Sequence, residues 1–163
     1  MLSLATLLEA WDEAYRELEI AVGGTPDSDL WRRAHPKLLS VGELLGHIGY
    51  WQGVWVLCAG NTRPEADEFP FQSPVFDAGF RYYSTTELAP VQLELSATDL
   101  WTEVQRVHSE AKQKLANLHY DSEYPGQWGN WGSLVQYQVF HVAYHTGQVY
   151  SVRHLLGHET EDN

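Results

Sequence analysis

Apolar residues in this chain recur at intervals of three and four, the period of one helix face, and nowhere alternate strongly enough to build a sheet. Leu4, Leu7, Leu8, Trp11, Tyr15 and Leu18 predict a first helix over roughly 3–22, stopped by Gly23 and Gly24. A connection rich in turn residues follows, and "SVGE" then places a serine three residues before a glutamate, the signature of a capping box. The second helix is predicted over about 41–59, with Leu44, Leu45, Ile48, Trp51, Trp55 and Cys58 facing inward. "SATD" at Ser96 opens a third, carried by Leu100, Val104, Val107, Ala111 and Leu115 to about residue 118. Ser133 with Gln136 reads as another capping box, and the fourth helix runs to Gly157. The expected class is all-α, a four-helix bundle. The connection from 60 to 95 is long for a compact domain and is expected to be functional, with a short helix around "DAGFRYY".

Composition narrows the function. Ten Lys and Arg against 22 Asp and Glu give a net charge of −12, a field that repels phosphate backbones and anionic membranes, so no nucleic-acid or membrane partner is expected. The single cysteine, Cys58, allows no intramolecular disulfide and suits a reducing cytoplasm. The opening "MLSLATLLEAWDEAYRELEI" lacks a basic region and is interrupted by acidic residues, so neither a signal peptide nor a membrane span is expected there.

The chemistry concentrates in histidines. His141 and His145 lie four positions apart in the fourth helix, about 40° and about 6 Å from one another, so both imidazoles reach one point. Leu134, Gln138, Gln148, Val152 and Leu155 share their face. Val135, Val139, Val142, Val149 and Leu156 form a second, apolar stripe, which together with the many aromatics would suit a homodimer. A third ligand is expected from another helix. His47 qualifies, about 60° from Leu44 and about 40° from Trp51, and His108 in the third helix competes with it.

Other candidates have structural readings. Glu43 is accounted for by its capping box. His154 and His158 stand near a helix C-terminus, where the dipole favours them, and His35 and His119 read as surface residues. Cys58 is about 16 Å along the helix from His47, too far to share a metal. Trp51, one turn after His47, would wall a pocket.

The segments "SVGELLGHIGYW" and "HVAYHTGQVYSVRHLLG" together resemble the DinB/YfiT-like metalloenzyme family, the second matching its pair of histidines followed by Gly-Gln, an Arg and a Leu-Gly ending. The resemblance implies a single domain over 1–163, folded as an up-down-down-up bundle with the long crossover between its second and third helices. It also implies a divalent metal (zinc, nickel or iron) held by His47, His141 and His145, leaving out His108. Some members of that family transfer low-molecular-weight thiols. The leading expectation is therefore a metal-dependent thiol transferase acting on an electrophilic small molecule. The alternatives are a metal-hydroxide hydrolase and a metal-binding or oligomerisation module without turnover. Gln148, and less directly Gln138, are expected to support the ligands or face the substrate.

Overall fold

Every long helix begins where a side-chain oxygen takes up an otherwise free amide. In the computed structural model, which describes residues 3–82 and 91–160, Ser3 caps α1 (Leu4–Val22) by accepting from the Thr6 amide. Ser40 and Glu43 form the expected capping box of α3 (Val41–Gln52), and Ser96 caps α4 (Ala97–Leu115). The fourth long helix, α5 (Trp131–Leu155), corrects one expectation. Asn130 is its cap, and Ser133 supplies the amide that Asn130 accepts rather than a capping oxygen. The asparagine, following the φ +75° turn at Gly129, starts the helix three residues earlier than Ser133 would. Gly157, at φ +85°, ends it as expected.

Two further departures concern the connections. A one-turn helix, α2 (Asp27–Leu30), lies inside the first of them. The helical path after Ser40 changes at Gly53, where Gly53–Leu57 forms a π-helical turn, so the second long element is α-helical for only its first twelve residues. Within the crossover, short 3₁₀ turns occur at Ala66–Glu68, Pro74–Phe76 and Ala78–Arg81, the last in the stretch expected to hide a helix. Residues 83–90 of the crossover and the last three of the acidic tail lie outside the described residues.

Side-chain pairs give the helix directions. Tyr150 bonds Glu17 and Arg153 bonds the Ala21 carbonyl, so α1 and α5 run parallel. Gly49 lies against Val104, and Gln52 bonds His108, so α3 and α4 also run parallel. His47 meets His145 while Trp55 meets Tyr137, making α3 antiparallel to α5. Asp12 meets Lys112 while Glu19 meets Trp101, making α1 antiparallel to α4. The bundle is therefore up-down-down-up, the order a long crossover permits.

All twelve residues of α3 are buried, which is unusual for one helix of a four-helix bundle. The cause is that the crossover, together with Trp31 from the connection before α3, packs over its outer side. Gly42, Gly46, Gly49 and Gly53 form a stripe with one-turn spacing, and Trp31, Phe80, Val75 and Phe76 respectively lie against it. A methyl group at Gly46 would come within 2.3 Å of the Phe80 ring, so only glycine admits that side chain. On α5, Val135, Val142 and Val149 are fully buried within the chain. Those three belong to the bundle's own core, while Val139 and Leu156 of the same stripe are half-buried. Leu155, expected to share the histidine face inward, is instead 65% exposed because α5 is ending there.

Candidate metal centre

His47 from α3 and His141 and His145 from α5 converge at the antiparallel seam of those helices. Each offers a ring nitrogen within 4.8 Å of the other two, and all three residues are buried. His47 Nε2 and His141 Nε2 are 3.4 Å apart. This spacing lets ring nitrogens reach one ion at the usual Zn–N distance of about 2 Å after small adjustments.

Neighbours orient the rings. His47 Nδ1–H donates to the Phe80 carbonyl at 2.8 Å, which leaves Nε2 with its lone pair facing His141. The glycine at 46 therefore has a chemical consequence: it admits Phe80, whose backbone sets the tautomer of the adjacent histidine. His145 Nδ1–H donates to Gln148 Oε1 at 2.6 Å, again leaving Nε2 free. Metal-binding histidines commonly have such partners behind them. Trp55, carried by the π-helical turn, places its ring 5.4 Å from that of His141.

Burial keeps the cluster neutral. Desolvation, with repulsion from His145, pulls His47 down to about 3 despite the Phe80 carbonyl. His141 is held well below the ordinary imidazole range by desolvation and by its two histidine neighbours. His145 is lowered by desolvation against the opposing bond to Gln148. Neutral imidazole is the form that coordinates, so a donor set of three N ligands is ready near neutral pH. Among the described residues no carboxylate or thiol joins the cluster.

A pocket of about 300 Å³ opens beside it. His47, His145 and Gln148 form one wall, Leu38, Leu39, Leu44 and Val152 supply apolar surface, and Tyr82, Tyr144, Ser151 and Lys37 complete the lining. Gln148 thus faces both a histidine and the pocket. Trp51 is not among the lining residues. It packs edge-on to His47 at 6.4 Å between ring centres, and its indole N–H bonds the Arg81 carbonyl. Gln138 is fully buried inside the bundle.

His108 lies in a different network. Gln52 donates to its Nδ1 at 3.3 Å, and its own Nε2–H donates to Asp12 at 2.9 Å, so both ring nitrogens are engaged away from the other three histidines. Tyr15 stacks on it at 3.7 Å and bonds the Gln52 amide oxygen, joining α1, α3 and α4. The cleft of about 720 Å³ between α1 and α4 opens over this network, not over the three-histidine cluster. Glu43 is also apart from the cluster. Besides its capping bonds it accepts from both edges of Arg33, from Tyr82 Oη and from the Val91 amide. It thereby gathers both sides of the 83–90 segment at the start of α3. His35, His119 and His154 are exposed, whereas His158 bonds Asp29 beside α2. Cys58 is a half-buried free thiol.

The sequence reading missed the backing groups: the Phe80 carbonyl, the Arg33 guanidinium on Glu43, and Tyr82 and Tyr144 in the pocket wall. The glycines were the available signal. Glycine is costly inside a helix, by about 1 kcal/mol each relative to alanine, and four at one-turn spacing announce a close approach.

A helical bundle with three buried histidines converging beside a pocket is compatible with a metal-binding enzyme. The family model described as the DinB superfamily matches residues 10–149, and the chain belongs to that superfamily. No curated protein matches it. Among the described residues no helix is long and apolar enough to cross a membrane.

Proposed function

We propose that this chain is a divalent-metal-dependent enzyme that transfers a low-molecular-weight thiol to an electrophilic small molecule. The carrying observation is the convergence of three buried, neutral histidines, two of which, His47 and His145, line a pocket. Three ligands without a fourth from the described residues is the pattern of catalytic rather than structural zinc sites. A bound ion would supply Lewis acidity and favour the thiolate form of a thiol cosubstrate. His47, His141 and His145 would hold that ion, and imidazole suits zinc, nickel and iron alike.

The remaining roles fall to the pocket. Its leucines and Val152 would take the apolar body of the electrophile and exclude water, while Tyr144, Ser151 and Gln148 offer hydrogen bonds that orient it. Gln148 also keeps the His145 proton on Nδ1. In the reaction the thiol loses its proton, and its sulfur forms a bond to an electrophilic carbon. The displaced pair leaves with a leaving group or takes up a proton. No Asp or Glu lines the pocket among the described residues, so the thiol's proton would pass to solvent at its mouth.

The test is spectroscopic and then kinetic. The cobalt-substituted protein should develop a sulfur-to-metal charge-transfer band on addition of bacillithiol, mycothiol, glutathione or cysteine, and transfer to monochlorobimane should depend on metal. A metal-loaded protein that gives no band with any of these thiols would end the thiol-transferase reading. Hydrolysis of esters or amides by the same protein would then replace it.

A further inference from the structure

The three imidazoles are not equally supported. A histidine that coordinates through one nitrogen carries a proton on the other, and that N–H needs an acceptor. His47 has the Phe80 carbonyl and His145 has Gln148. His141 Nδ1 is buried with no hydrogen-bond partner. A buried polar atom left unpaired is costly, and packing against Trp55 and Tyr137 alone does not choose which ring nitrogen carries the proton.

One turn earlier on the same helix, Gln138 has the complementary deficiency. Its side chain is fully buried, and neither amide atom has a partner. Leu134, Val135 and Val142 around it are all fully buried and apolar, so packing alone would be served by leucine or methionine. Residues three apart on a helix stand about 5–6 Å apart at Cβ, so the amide of one reaches the ring of the other. The same helix shows this pairing in mirror image: Gln148, three residues after His145, accepts from that ring.

We propose that Gln138 is the positioning residue of His141. Its Oε1 accepts the Nδ1–H, fixes that tautomer and aims Nε2 at the point shared with His47 and His145. A rotation of the glutamine side chain brings the oxygen onto the ring nitrogen and satisfies two orphaned atoms together. The metal centre is then bracketed by two glutamines on α5, one three residues before the first histidine and one three residues after the second. Gln138 touches neither substrate nor metal. It acts through the ring. The proposal rests on the metal reading for its purpose, and on the metal-free ring for its first test.

Nitrogen chemical shifts of the metal-free protein report the tautomer directly. Wild type should show His141 as the Nδ1–H form with a protected ring proton, Gln138→Met should show a tautomer mixture with that protection lost, and Gln138→Glu should retain the form. In zinc titrations Gln138→Met should bind about 10–100-fold more weakly, the effect of losing a partner behind a ligand, while Gln138→Glu binds at least as tightly as wild type. An unchanged His141 tautomer in Gln138→Met, together with unchanged zinc affinity, overturns the assignment and leaves Gln138 a packing residue. If wild type binds no zinc, the metal reading fails separately, and the tautomer measurement alone decides the role of Gln138.

Discussion

Two residues with similar sequence credentials separate once their partners are known. His47 and His108 both lie on inward faces of their helices. His47, however, points Nε2 at His141, whereas both nitrogens of His108 are engaged by Gln52 and Asp12. His47→Ala, like His141→Ala or His145→Ala, should therefore abolish stoichiometric metal binding with far-UV helicity retained, and His108→Ala should keep it. Elemental analysis of proteins purified without chelators or a histidine tag checks this, and full occupancy in His47→Ala would remove it from the ligand set. Glu43 shows the opposite lesson, because its capping role was correct and incomplete. Ser40→Ala should cost about 1 kcal/mol, the usual worth of a cap. Glu43→Gln keeps the cap chemistry but removes the negative charge that faces Arg33, with the two side chains only 13% and 1% exposed. Breaking such a buried pair costs about 3–5 kcal/mol, so denaturant melts should find Glu43→Gln clearly the worse of the two. Equal losses would mean that Arg33 contributes nothing.

At the level of elements, the four long helices were legible because each has a local signal: an apolar face of the right period and a polar cap. The faces of α1 and α4 are buried at nearly every position that periodicity picked out, with only Leu8 partly exposed. What was not legible depends on contacts distant in sequence. Asn130 outcompetes Ser133 as a cap because the preceding Gly129 turn delivers it. The π-helical turn after Gln52 occurs where Phe76 and Phe69 lie against Gly53, and nothing in the period of three and four encodes that. The site was legible to the same degree. Spacing placed His141 and His145 together, and face geometry nominated His47 without excluding His108. The crossover contribution stayed hidden, since Phe80 acts through a backbone carbonyl that every residue possesses. Gly46→Ala tests this link between element and site. The added methyl must displace Phe80, so the variant should lose about 1–3 kcal/mol of stability through overpacking, and zinc affinity should fall as His47 loses its acceptor. A calorimetric zinc titration reads the second effect, and unchanged affinity would detach the crossover from the metal centre.

Across the whole molecule, the two polar networks on opposite seams of the bundle make stability depend on pH in one direction. His47 is held down to about 3 and His108 to about 4, with His141 and His145 also lowered. In the unfolded chain each would titrate near about 6.5. Between that value and the folded one, the unfolded state binds protons that the folded state refuses, so stability falls as pH falls from about 6.5 toward 4. Glu43 adds to the same side at lower pH. Burial alone would raise it, but Arg33 and the Ser40 and Val91 amides prevail and lower it, so its contribution is present above about 4.3 and lost as pH falls through its folded value. For metal binding the consequence is reversed. The three histidines proposed as ligands are already held neutral in the folded protein, so metal occupancy should persist below the pH near 6 at which free imidazoles would release an ion. His108 allows the stability limb to be separated from the metal, because it sits in the Asp12–Gln52 network and not among the ligands. Desolvation lowers its pKa against the bonding and charge of Asp12, while Lys112 adds repulsion. In His108→Gln, the slope of unfolding free energy against pH between about 6 and 4.5 should shrink by up to one proton, about 1.4 kcal/mol per pH unit. That reduction should be the same with and without zinc. Denaturant melts across the range give the slope, and a slope equal to wild type would show that His108 titrates alike in folded and unfolded chains, against the burial seen for it.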